Sequence, residues 1–142
     1  MKRALCFLLV WLPRSASGLT AESVGDIDER AQRFYNEKRF SEAIREWLSA
    51  LEIDPANEKI QQKVEMVYEE KHRKNMAAQR SKVQMRETRA VVEKESADTL
   101  ESMKNEAVGN FVVAYRIDPN DPEMKVLREK TDKFQREIEA AI

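Results

Sequence analysis

One cysteine, one histidine, three glycines and four prolines in 142 residues leave little material for most kinds of chemistry. A structural zinc site or a disulfide framework needs several Cys or His side chains, so single copies exclude both. Three glycines cannot furnish a dinucleotide or phosphate loop together with the turns around it. Aromatics are sparse at 7%, and neither sign of charge dominates, with 25 Lys and Arg against 26 Asp and Glu. What is plentiful is charge, 36% of the chain, with many Glu, Lys, Arg, Ala and Leu. That is the composition of an all-α or coiled-coil protein, and the length suits one domain.

The first residues read as a targeting segment rather than as fold. Met1-Lys2-Arg3 is a positive end, Ala4 to Leu12 is an uninterrupted apolar run, and Pro13 precedes the small residues Ser15-Ala16-Ser17-Gly18. This is the layout of a secretory signal peptide over 1–18, with cleavage expected near Ser17 or Gly18. Nine helical residues rise only about 14 Å against a bilayer core of about 30 Å, so a permanent anchor is not expected. A membrane tether is expected only if the segment stays uncleaved. Cleavage removes Lys2, Arg3 and Arg14, leaving 22 basic against 26 acidic residues, a net charge of −4. It also removes Cys6, which suits an oxidising compartment, and the expected location is the periplasm or an equivalent extracytoplasmic space.

Residues 19–142 contain an internal repeat. Ala43, Trp47, Ala50, Asp54 and Pro55 recur as Ala107, Phe111, Ala114, Asp118 and Pro119, each 64 positions on. Spacings of four and three put the two small residues and the aromatic on one helical face, where a neighbouring helix can approach closely. The residue before proline is pushed out of the α region, so Asp54-Pro55 and Asp118-Pro119 are expected to stop their helices.

The segment from about 24 to 57 resembles a tetratricopeptide repeat (TPR). Ala31 and Phe34 match the first helix of that family, and Phe40, Ala43, Trp47, Ala50 and Pro55 match the second. Ile27 and Arg30 depart from the family's Trp and Leu. The second copy, about 98–119, matches in its second helix only; Lys104 stands where the family has an aromatic at the turn. The resemblance implies all-α, TPR-like helical hairpins and a role in protein–protein interaction. It also implies that exposed residues of the first helix line a partner groove, here Asp28, Gln32, Tyr35 and Asn36. The Lys and Asn that some members use to clamp a C-terminal carboxylate are replaced by Asp28 and Gln32, so this groove is not expected to select acidic peptide ends.

No Gly or Pro interrupts 56–108. Asn57 can cap a helix carrying Ile60, Val64, Val67 and Tyr68. Beyond Glu69 the apolar signal thins to one row, Met76, Val83, Ala90 and Ala97, whose companion row is polar, so no strong coiled coil is specified. Extended helices over about 69–106 are expected to project beyond the stack, turning back near Ser96 to Thr99. A following helix then buries Leu100, Met103, Ala107, Phe111 and Ala114. The final helix begins at Asp121-Pro122 and carries Met124, Leu127, Thr131, Phe134 and Ile138 at spacings of 3, 4, 3 and 4, an amphipathic capping helix.

Sites for chemistry are nearly absent. Glu69-x-x-His72 has the spacing of half a carboxylate-bridged di-metal site, but the other half is missing, and a solvated His is the expected reading. No Ser lies in a nucleophile-elbow context, so the chain is expected to be non-enzymatic, with no catalytic residue, metal or cofactor. Residues 71–89 are strongly basic, and Lys71, Lys74, Lys82, Arg86 and Arg89 fall within about a third of the helix circumference. Such a stripe suits an anionic surface, although pairing with the acidic return segment Glu93, Glu95, Asp98, Glu101 and Glu106 is the simpler expectation. No aromatic interleaves with it, so nucleic acid is not an expected partner. The expected function is an exported adaptor, scaffold or assembly factor that binds a protein or peptide. The alternative is a structural protein that self-associates through its long central helices.

Overall fold

The computed structural model describes residues 22–142, and the signal peptide expected over 1–18 lies outside them. The described residues form five α-helices and no strand: α1 (Val24–Asn36), α2 (Phe40–Ile53), α3 (Glu58–Val91), α4 (Ala97–Ile117) and α5 (Pro122–Ala141). The molecule is therefore all-α. No helix among the described residues is long and apolar enough to cross a membrane.

Each boundary has a local cause. The Ser23 hydroxyl accepts from Asp26 N, and the Asp26 carboxylate accepts from Ser23 N, a reciprocal cap on α1. Asn57 and Ser96 accept from Ile60 N and Thr99 N, and Asp121 accepts from Glu123 N ahead of Pro122. The two repeated Asp-Pro sites end α2 and α4 in the same way. Asp54 and Asp118 have nearly the same backbone angles, φ −130° and ψ 83° against φ −139° and ψ 81°, and their N–H groups donate to Ala50 O and Ala114 O.

The core is split in two. In the first, Ile27 and Ala31 of α1 meet Phe40, Ala43, Trp47 and Ala50 of α2, and Ile60, Val64 and Val67 of α3 close the bundle. In the second, Ala77, Ala78 and Met85 of α3 meet Leu100, Ala107, Phe111 and Ala114 of α4 and the Met124, Leu127, Phe134 and Ile138 row of α5. Small residues at Ala43, Ala50, Ala107 and Ala114 have no exposed surface, and they let the helices approach while the aromatic between them fills the bundle. The 34-residue α3 belongs to both cores.

The second half of α3 thus does not project beyond a stack. One side of it is covered by α4 and α5, through a stripe of Lys74, Ala77, Ala78, Ser81, Met85 and Thr88 rather than through Met76, Val83 and Ala90. The polar members of this stripe are satisfied: Ser81 Oγ donates to Ala107 O at 2.8 Å and Thr88 Oγ1 to Gln84 O at 2.8 Å. Met103 is only half-buried, while Lys104 beside it is buried and reaches Glu139 of α5. No turn occurs at Lys104, because the second copy of the repeat lies within one continuous 21-residue helix. The expected reversal at Ser96 does occur, and the five-residue row on α5 is buried throughout.

The two hairpins lie end to end along α3. Asp28 and Tyr35 of α1 reach Lys63 and Glu70, each 35 residues ahead, so α1 runs parallel to the first half of α3. Asp121 and Glu137 of α5 reach back to Lys74 and Arg89, 47 and 48 residues earlier, so α5 runs parallel to the second half. Where they meet, Asn120 Nδ2 donates to Glu37 O at 2.8 Å, joining the α4–α5 turn to the α1–α2 turn.

Candidate functional site

Two faces of this frame carry convergent polar groups. The first lies between α1 and α3. Asp28, Gln32, Tyr35 and Asn36 fall on one strip of α1 because they are spaced at 4, 3 and 1. Two of them turn toward α3. Asp28 Oδ1 accepts from Trp47 Nε1 at 2.7 Å and from Lys63 Nζ at 2.6 Å. Burial works against the Asp28 charge, but the hydrogen bonds from Lys63 and Trp47 outweigh it and hold the carboxyl below its usual range. The Tyr35 ring packs on Phe40 and Trp47, with centroids 5.6 and 6.1 Å apart, and its hydroxyl donates to Glu70 Oε1 at 3.3 Å. Burial, then the neighbouring Glu70 carboxylate, raises the Tyr35 pKa. Gln32 and Asn36 instead bond to each other, Nε2 to Oδ1 at 3.3 Å.

Glu70 completes this face and was not singled out by the sequence. Its Oε2 is buried and has no hydrogen-bond partner among the described residues. It borders a cleft of about 300 Å³ lined by Met66, Glu69, Glu70 and Arg73, in which Met66 is 40% exposed. A buried acceptor without a donor carries a desolvation cost of about 1–3 kcal/mol. The other oxygen, Oε1, offsets part of it by accepting from Tyr35 and lying 3.9 Å from Arg73 Nη2. The sequence signal for Glu70 is its position, about two helical turns beyond Lys63 on α3.

The second face lies between α3 and α5, and it rearranges the basic stripe expected over 71–89. Lys71 approaches Ser41 Oγ at 3.4 Å, at the turn of the first hairpin. Lys74 is only 2% exposed and is paired with Asp121. Burial and a specific partner thus remove Lys74 from the surface, while Lys71, half-buried, faces the first hairpin rather than the other basic residues. Lys82 pairs with Glu123 and Arg89 with Glu137 at 2.9 Å, so the counter-charges come from α5 and not from the return segment Glu93 to Glu106. Lys82, Arg86 and Arg89 remain together in a cleft of about 460 Å³, joined by Lys130 and Lys133 of α5. The sequence reading missed both lysines, since their proximity to α3 depends on the α4–α5 reversal.

At the junction of the hairpins, Asp118 and Asp121 sit beside Lys74. Burial raises the Asp118 pKa against the attraction of Lys74, and nearby Asp121 adds to the rise. Burial also opposes the Asp121 charge, yet the Lys74 hydrogen bond and the Glu123 N–H lower its pKa overall. His72 is exposed on α3, and among the described residues no group of three or more His, Cys, Asp or Glu converges as a metal site would require. No family model matches the chain, and neither a curated protein nor a solved structure matches it.

Proposed function

We propose that this chain is an exported, non-enzymatic protein-interaction module with TPR-like helical hairpins, acting as an adaptor, scaffold or assembly factor in an extracytoplasmic compartment. The observation that carries the proposal is the α1–α3 face. There Tyr35 presents a ring braced by Phe40 and Trp47, beside a buried Glu70 oxygen that lacks a donor and an exposed Met66. An aromatic platform and an exposed apolar contact suit a peptide or protein that packs a side chain of its own against them. The hidden small–aromatic–small pattern of both cores supports the TPR-like reading, since it is the feature that carries the resemblance.

The test is affinity capture from the native envelope fraction on immobilised chain, with folding of each variant checked by circular dichroism. A specific protein retained by the native chain and lost with Tyr35→Ala is expected. Equal retention by the variant, or none by either, contradicts the proposal. Export is tested by the mass of the secreted protein, expected to begin near residue 18 or 19.

A second reading, self-association through the central helices, is favoured by Met76, which is 44% exposed, and by Ala90, also exposed, both on α3 outside its buried stripe. Sedimentation velocity across a concentration series separates the two. A monomer fits the adaptor, and a tight dimer fits the structural role.

A further inference from the structure

The cleft between α3 and α5 brings Lys82, Arg86 and Arg89 from one wall together with Lys130 and Lys133 from the other. Among the described residues two carboxylates hold these groups, Glu123 on Lys82 and Glu137 on Arg89 and Lys133. Five cations against two carboxylates leave a local excess of +3. The excess centres on Arg86 and Lys130, both exposed, which enter no ion pair among the described residues. Met85, 4% exposed, lies beneath them and makes part of the cleft apolar.

We propose that this groove binds an acidic segment of a partner protein, one whose carboxylates flank an aliphatic side chain. The inference rests on the reading of the chain as an interaction module and assigns a ligand class to a second surface, separate from the α1–α3 face. Charge complementarity selects the ligand. Like charges crowded into one cleft repel, and an incoming carboxylate relieves that repulsion while gaining charge-assisted hydrogen bonds from the free guanidinium. Two ion pairs, Lys82 with Glu123 and Arg89 with Glu137, link the walls and fix the cleft, so the ordering cost on binding falls mainly on Arg86 and Lys130. Shape selects against a lipid surface. A bilayer needs cations spread over an open face, whereas these line a cleft of about 460 Å³ that admits a side chain or an extended segment.

The test is fluorescence anisotropy with a labelled peptide of glutamates interrupted by one leucine, titrated with the full chain. Saturable binding is expected, weakened about tenfold by Arg86→Glu combined with Lys130→Glu and comparably by high salt. The milder Arg86→Gln with Lys130→Gln guards against misfolding and should weaken binding in the same direction. A peptide with serine in place of leucine should bind several-fold more weakly. Absence of peptide binding, or equal binding by both double variants, overturns the proposal. So does capture of the chain by phosphatidylglycerol vesicles without peptide binding, which would make the occupant a membrane. A concentration-dependent dimer abolished by the charge reversal, again without peptide binding, would make it a second copy. Loss of Tyr35-dependent capture with peptide binding intact would instead count against the α1–α3 face alone.

Discussion

Lys74 is nearly inaccessible to water, and its charge is held by Asp121 at the start of α5, with Asp118 close by. Removing one member of a buried ion pair leaves the other charge uncompensated, so Lys74→Ala should lower stability by about 2–4 kcal/mol in urea titrations. Replacing both members, Lys74→Met with Asp121→Asn, should recover most of that loss, because a well-packed apolar pair avoids the desolvation of two charges. A double variant as unstable as the single one would show that Lys74 matters through some other contact. The two aspartates respond to pH in opposite senses. Asp121 has a lowered pKa in the fold, so its contribution is present above the ordinary carboxylate range and is lost as pH falls through its folded value. Asp118 has a raised pKa, so its protonated form is favoured in the fold. Its contribution is present at low pH and is lost as pH rises through the folded value. Asp118→Asn should therefore stabilise the chain at neutral pH, with the gain vanishing in acid. Thermal melts at pH 7 and below the carboxylate range check this, and destabilisation at pH 7 would refute it.

At the scale of elements, the closely packed positions of the repeat are the sensitive ones. Ala107 has no exposed surface, and its carbonyl receives the Ser81 hydroxyl from α3. Ala107→Leu should push α4 off α3 and cost about 1–3 kcal/mol, measured by chemical denaturation, whereas the same change at exposed Ala97 should cost little. The repeat spacing made α4 and its Asp118 stop legible in the sequence, and the five-residue row made α5 legible, because both depend on periodicity and local caps. The second half of α3 was not legible for a physical reason. Its buried stripe is built from small and polar groups, and a hydropathy pattern cannot register a lysine made burial-compatible by an aspartate 47 residues later. The candidate surfaces follow the same division. The strip Asp28, Gln32, Tyr35 and Asn36 came from the family resemblance, which needs only one helix to place its residues. Glu70, Lys130 and Lys133 were not legible, since each joins its site only through packing between helices.

For the whole molecule, the arrangement is two three-helix bundles that share one long helix and meet at their turns. Each bundle supplies a face beside α3, one with an unpaired acceptor and an aromatic, the other with excess positive charge. A common helix holds the two faces in fixed relation, which suits bringing two segments of one partner, or two partners, into register. The most direct measurement places a photo-crosslinking amino acid at position 35, and separately at exposed position 72 on α3 as a control, then irradiates the chain in its native fraction. An adduct with a distinct protein from position 35, absent from position 72, is the predicted result. No adduct from position 35, or the same adducts from both positions, would contradict the account of this chain as an interaction module.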